Sequence, residues 1–199
     1  LMQNAALRAL DIDAVYVPFH VSPADLASAV AGLRAMNIWG INVTVPHKEA
    51  ICPLLDAIDP EARRIGAVNT VVNREGQLLG FNTDGRGFLS GLTKDLLFKP
   101  QGKNVVLLGA GGACRAAIVA LAQEGAGSIA VVNRTPERAA ALCGEFRHLF
   151  PGTTFADFPL GSLAAAISGE GGTADLIVNT SAVGLKGEEF AGLPWDNIP

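Results

Sequence analysis

A chain of 199 residues with 49% hydrophobic content can bury a substantial core, as one large or two small domains, which argues against disorder. Its net charge of −4 is not offset by any Lys/Arg-rich block, which argues against a nucleic-acid or anionic-membrane partner and points to a small ligand. The longest uncharged stretches, residues 35–46 and 158–169, fall short of the roughly 18 apolar residues of a membrane span.

In chain order, helical and strand patterns alternate, the sign of βαβ units and a parallel sheet. A helix to about Leu10 leads to a predicted strand at 14–17. Ser22-Pro23 then opens a helix over 24–36, with Ser22 as N-cap. A strand at 40–45 follows, then helices at 48–55 and after Pro60. Strands at 67–73 and 77–81 are joined through Arg74-Glu75-Gly76 as a hairpin. After a helix at 85–97 and the breaker KPQGKN, a second cycle begins: a strand at 105–108, a helix from Gly111, a strand at 129–133, a helix capped by Thr135-Pro136, and a last strand at 176–179. Residues 169–173 read as an exposed loop, and the domain boundary falls within 84–91.

Three cysteines, Cys52, Cys114 and Cys143, are odd in number and far apart, which favours buried thiols in a reducing compartment; neither they nor the three histidines have metal-ligand spacing, so no metal is expected. N-x-S/T sequons at Asn42, Asn133 and Asn179 come without a signal peptide and read as chance. The chain opens on a helical pattern without an initiator methionine and closes in GLPWDNIP, so a piece of a longer polypeptide is expected.

The sequence VVLLGAGGACRAA places an apolar strand before Gly109-x-Gly111-Gly112 and a helix of small residues. Glycines there permit a tight turn and let backbone amides approach a pyrophosphate at the positive end of a helix dipole. The third glycine of the usual pattern is replaced by Cys114, still small. A glycine-rich turn alone is a weak signal, since it also serves as a plain tight connection. A fold that binds NAD usually ends its second strand in a carboxylate for the ribose 2′-hydroxyl. This chain has Asn133-Arg134-Thr135-Pro136-Glu137-Arg138 instead, and two guanidinium groups at that place suit a 2′-phosphate, which points to NADP. The ordinary alternative is a solvated pair of arginines, one matched to Glu137.

Lys48 and Asp84 each lie just beyond an apolar strand, where open α/β sheets expose their ligand sites. A lysine and a carboxylate can share the proton work of a carbonyl reduction, and Asn69 can both donate to and accept from a hydroxyl. Singly, each has a bland reading: a first-turn lysine, a plain Asp-Gly turn, a strand asparagine bonding its own backbone.

Together, NVTVPHK, GAVNT, NTDG, GAGGA, NRTPER and NTSAVG occur in the order in which they occur in the shikimate dehydrogenase family, and the chain resembles that family over its whole length. The resemblance implies an α/β fold of two domains, with an N-terminal substrate domain (1–86) built on a mainly parallel sheet, a C-terminal Rossmann-like NADP-binding domain (87–199), and an active site in the cleft between them. It implies reversible NADPH-dependent reduction of 3-dehydroshikimate to shikimate, on the cytoplasmic route to aromatic amino acids, by a monomer or homodimer. Carried over residue by residue, Lys48 and Asp84 correspond to the catalytic pair, and Asn42, Thr44 and Asn69 to the substrate pocket. Gly109, Ala110, Gly111, Gly112 and Ala113 correspond to the pyrophosphate turn, Asn133, Arg134, Thr135 and Arg138 to the adenosine-phosphate clamp, and Ser181 and Ala182 to the nicotinamide end. His47 reads as packing or solvated. The family's Ser-x-Ser-Pro segment and its distal tyrosine and glutamine have no match in these residues. Quinate oxidation, or a non-catalytic nucleotide-binding module, are the alternatives the same motifs leave.

Overall fold

The computed structural model describes residues 2–168, 172–184 and 187. Its elements run α1 (Met2–Ala9), α2 (Leu26–Ala35), β1 (Gly40–Asn42), β2 (Ala57–Ile58), α3 (Pro60–Ile65), β3 (Thr70–Arg74), β4 (Gln77–Phe81) and α4 (Asp84–Ser90). They continue β5 (Asn104–Leu108), α5 (Gly112–Gln123), β6 (Ser128–Asn133), α6 (Pro136–Leu149), β7 (Thr154–Pro159), α7 (Leu163–Ser168), β8 (Gly172–Thr173) and β9 (Leu176–Asn179).

The second sheet, ordered β7-β6-β5-β9, is parallel throughout. Side chains alternate across a strand, and β5 shows the consequence: Val105 and Leu107 join the apolar cluster with α5 and α6, whereas Val106 and Leu108 join the one with α7. A strand covered on both faces is what its unbroken apolar run requires. α5 is buried almost all round, from Ala116 to Leu121, and a Cβ on Gly85 of α4 would come 3.3 Å from the Ala116 carbonyl, so small residues let these two helices lie close.

The first sheet, ordered β1-β3-β4-β2, corrects the expectation of a mainly parallel arrangement: β1 with β3 and β3 with β4 are antiparallel, and only β2 with β4 is parallel. The reason for one of these pairings is local. Glu75 and Gly76 both take positive φ, 53° and 88°, and such a two-residue turn can only return the chain antiparallel. Asn73 Oδ1 accepts from the Gly76 amide at 2.8 Å and closes that turn.

Other differences from the sequence reading have equally local causes. Residues 14–17 form no strand; Asn4 takes both backbone groups of Tyr16, accepting from its amide at 2.6 Å and donating to its carbonyl at 2.8 Å, and Val15 and Val17 stay exposed. Ser22 makes no side-chain cap and instead donates to Asp25 Oδ2, and the helix enters through a 3₁₀ turn at Pro23–Asp25. The expected helix over 48–55 is reduced to turns and a 3₁₀ turn at Cys52–Leu54, because the Lys48 carbonyl accepts from Val68 N at 2.8 Å and Cys52 N bonds Glu49 instead. The helix after Thr83 ends at Ser90 and passes into a wider turn over Gly91–Asp95. β2, β7, α7 and β8 have no counterpart in the reading; β7, TFADFP, contains an aspartate and a proline that weaken any strand signal but fit a strand on the sheet edge. Of the loop read at 169–173, Gly172 and Thr173 form β8 and the rest lies outside the described residues.

Each sheet has its own buried cluster, with Val71 and Leu78 of the first sheet packed on Leu26, Val30 and Leu33 of α2, but the segment after α3 joins the second one. Ile65 and Ala67, which flank the end of α3, are fully buried in the cluster built by α5, α6 and the second sheet, and α4 packs along α5.

Candidate active site

Three chain segments bring polar side chains to one place between the sheets. The first leaves β1 through Thr44 and a cis Val45–Pro46 peptide, turns with His47 N donating to the Thr44 carbonyl, and is held from behind by His47 Nε2 at 2.9 Å from the Val21 carbonyl. Since the Lys48 carbonyl is bound to Val68 N, the lysine leaves the chain from a fixed backbone. The second segment is Gly66-Ala67-Val68-Asn69, and the third is Asn82-Thr83-Asp84 at the start of α4.

Lys48 Nζ donates to Asp84 Oδ2 at 2.6 Å, and the lysine side chain is only 15% exposed. The other carboxylate oxygen, Oδ1, accepts from Asn69 Nδ2 at 2.7 Å. Asn69 is itself held: its Oδ1 accepts from the Thr83 amide at 3.0 Å and from Thr70 Oγ1 at 2.9 Å. Asn82, buried, donates to the Ala67 carbonyl at 2.9 Å and accepts from the Asp84 amide at 3.0 Å. A part-buried network whose members are all partnered is rigid, so the ammonium and carboxylate are placed rather than floppy. Among the described residues no buried side-chain nitrogen or oxygen lacks a partner.

The glycine turn lies against this cluster. A Cβ on Gly112 would come 3.0 Å from Lys48 Cβ and 3.2 Å from Lys48 Cδ, so the lysine stem passes directly over that glycine. Gly109 takes φ +115°, and a Cβ there would meet Ser181 N and Thr180 Oγ1 at 3.1 Å. Gly111 is the extended N-cap of the 12-residue α5, whose first turn has no acidic residue, and a Cβ on it would meet nothing within 4 Å. The space outside Gly111 is therefore open, with the orphan amides of a helix N-terminus beside it, a cradle for an anion.

At the tip of β6, Asn133 Nδ2 donates to the Thr135 carbonyl at 2.9 Å, which folds the strand end over the start of α6. Arg134 and Thr135 are exposed. Arg138 reaches back across the turn, donating to the Ala110 carbonyl at 3.3 Å and lying 3.9 Å from Glu49 Oε1. Arg138 against the glycine turn and Arg134 at the strand tip, with Asn133 and no carboxylate at that tip, fit a dinucleotide with a 2′-phosphate better than one with a free 2′-hydroxyl. On the far side, Ser181 Oγ and its amide both donate to Asn179 Oδ1, at 2.8 and 2.9 Å, and hold Ser181 beside Gly109, with Ala182 following it in the chain.

Asn42 and Thr44 are exposed along the rim; Asn42 Nδ2 makes a long contact of 3.4 Å to Thr70 Oγ1, which itself bonds Asn69. Sequence reasoning quoted NTDG but named only its aspartate. Asn82 and Thr83, which aim that aspartate, were legible only as neighbours in the motif. Glu49, beside Arg138, gives no local signal in the sequence.

The comparisons decide what this arrangement belongs to. Residues 1–71 match the family described as shikimate dehydrogenase substrate binding domain, and residues 92–180 match shikimate / quinate 5-dehydrogenase. A shikimate dehydrogenase (NADP(+)) of Geobacter metallireducens is 52% identical over 193 residues, covering 97% of this chain and 67% of that protein. The chain belongs to the shikimate dehydrogenase family. It spans about two thirds of the length of the curated relatives it matches. Among solved structures of similar fold, the shikimate 5-dehydrogenase of Thermus thermophilus in complex with NADP(H) and shikimate superposes with a TM-score of 0.80 at 37% identity, over 100% of this chain and 69% of that one. A 5-ketofructose reductase of a Gluconobacter species superposes with a TM-score of 0.71 at 38% identity, over 92% and 64% of the two chains.

Proposed function

We propose that the protein carrying this chain catalyses the reversible NADPH-dependent reduction of 3-dehydroshikimate to shikimate, with residues 1–86 as the substrate-binding and catalytic unit and 87–199 as the NADP-binding unit. The observation that carries the reading is the 2.6 Å contact of Lys48 with Asp84, held by Asn69, on top of Gly112. A second copy, a nucleic acid or a membrane is not needed for it, and the chain works as a monomer or homodimer in the cytoplasm, on the route to aromatic amino acids.

When bound, the dinucleotide supplies a hydride to the carbonyl carbon. The chain supplies the rest. Ala110, Gly111, Gly112 and Ala113 would present amides and the α5 dipole to the pyrophosphate, with Gly109, whose amide is bound to the Val132 carbonyl at 2.8 Å, making the turn, while Asn133, Arg134, Thr135 and Arg138 would hold the adenosine 2′-phosphate. Ser181, next to Gly109, and the following Ala182 would border the nicotinamide end. As the carbonyl oxygen gains negative charge, Lys48 Nζ donates a hydrogen bond to it and the Lys48/Asp84 pair delivers one proton, so that hydride plus proton convert the carbonyl to a hydroxyl. In the reverse direction the pair receives that proton. Asn69, Asn42 and Thr44 bond the remaining ring hydroxyls and fix the ring.

The test is NADP(+)-dependent oxidation, followed by absorbance, with shikimate, quinate and the reduced form of 5-ketofructose offered to the purified protein. Turnover with shikimate and NADP(+) at least ten times that with the other two supports the assignment. Preference for quinate or for the ketofructose couple reassigns the substrate, and no turnover with any removes the enzyme reading.

A further inference from the structure

Arg115 is a charged side chain, only 12% exposed, that none of the chemistry above uses. It sits on α5, three residues after Gly112. Its Nε donates to the Ile65 carbonyl at 2.5 Å, the last carbonyl of α3, and its Nη2 pairs with Glu145 on α6. The guanidinium also lies over the Phe146 ring, 5.2 Å from the centroid. Gly66, at φ +72°, is where it passes: a Cβ there would fall 2.9 Å from both Cζ and Nε and closer still to Nη2, so the guanidinium occupies the space a side chain would need.

Gly66 is the first residue of the GAVNT segment, and three residues on comes Asn69, the partner of Asp84. One side chain thus ties the helix that begins at the glycine turn to the peptide that leads into the hydroxyl-bonding cluster. The fit is specific to arginine, because only a planar fork can bond a carbonyl, pair with a carboxylate and lie against a glycine and an aromatic face at once. The negative end of α3 adds to the attraction.

We propose that Arg115 is a positioning residue that sets the spacing between the nucleotide turn and the Lys48–Asn69–Asp84 cluster, and so the hydride-transfer geometry. This rests on the reading of the cleft as a dehydrogenase site. Misplacement of reacting groups by about 1 Å costs roughly 10²-fold in rate.

The test compares the protein with its Arg115→Met, Arg115→Lys and Gly66→Ala variants, by hydrogen exchange without cofactor and by kinetics with NADPH and its 4-deuterated form. Arg115→Met is expected to speed exchange at the amides of 66–70 by about tenfold or more while β5 and β6 stay protected. In the same variant kcat falls roughly 10²-fold, the KM values stay within about threefold, and the deuterium isotope effect rises as hydride transfer becomes limiting. Gly66→Ala, which displaces the guanidinium and also puts a Cβ on a residue at φ +72°, loosens 66–70 at least as much as Arg115→Met, and Arg115→Lys restores part of the rate. Unchanged exchange at 66–70, loss of protection across the whole second sheet, or a kcat loss with an unchanged isotope effect each overturns the proposal. If the parent protein turns over none of the substrates, the enzyme reading fails by itself, and the exchange data still decide whether Arg115 holds the segment.

Discussion

Lys48 is distinguished from an ordinary first-turn lysine by what surrounds it: its carbonyl is tied to Val68, its stem lies on Gly112, and its ammonium bonds Asp84. Lys48→Ala is expected to lower kcat by roughly 10²-fold to 10⁴-fold, while the NADPH dissociation constant measured by fluorescence titration changes little. Near-normal turnover in that variant would remove the lysine from the mechanism. The cysteines behave oppositely, as inert packing. Burial pushes the Cys114 thiol up to about 12 and the Cys143 thiol to about 11, and it also raises Cys52. At pH 8 the thiolate fraction of Cys114 and Cys143 is then on the order of 10⁻³ or less. A chromogenic thiol reagent added at that pH is expected to react slowly with the folded chain and to count all three thiols only in denaturant; fast reaction of two or more in the native state contradicts the burial.

At the scale of elements, β5–turn–α5 and the start of α6 form one local unit, the one proposed to bind the dinucleotide. Arg138 belongs to α6 yet reaches the Ala110 carbonyl of the turn, so the two helices present their positive charge to one volume. Replacing Arg134 and Arg138 together by glutamine is expected to weaken NADPH at least tenfold more than NADH, since only the former offers a 2′-phosphate. Equal loss for both cofactors would assign the arginines to general charge. These elements were readable in the sequence because each is determined locally: four apolar residues, three glycines, a run of small residues, then Thr-Pro at the next helix. The 48–55 segment was not, because its helix-forming carbonyl is claimed by Val68, twenty residues on. The same long-range bond positions Lys48.

At the scale of the molecule, each sheet carries a carboxylate clamp at its margin. Asp56 accepts from the Leu78 amide at 2.7 Å and from Arg34 at 2.8 Å, and these hold its carboxyl below the ordinary 3.8, the amide more than the arginine. Asp175 is held down likewise by Lys103 first and by the Asn104 amide. A depressed folded-state value means that the folded form binds fewer protons than the unfolded one. The stabilisation is therefore complete above the ordinary value and is lost as pH falls through the folded value. The melting temperature is expected to drop below about pH 4 through these clamps, and the Asp56→Asn, Asp175→Asn double variant should melt lower at pH 7 but show a shallower acid drop. A parallel acid drop in both proteins would place the pH dependence elsewhere.

Sequence alone determined the alternation of helices and strands, the glycine turn and its cationic neighbours, and the order of motifs that identifies the family, because all of these are patterns of adjacent residues. Tertiary structure decided the direction of β1 and β2 in the first sheet, the loss of a strand at 14–17, and the meeting of Lys48, Asn69 and Asp84 on one network. It alone revealed Arg115, whose partners Ile65 and Glu145 lie 50 and 30 positions away. Contacts of that separation depend on how closely small residues let two helices approach, and no local pattern encodes that distance.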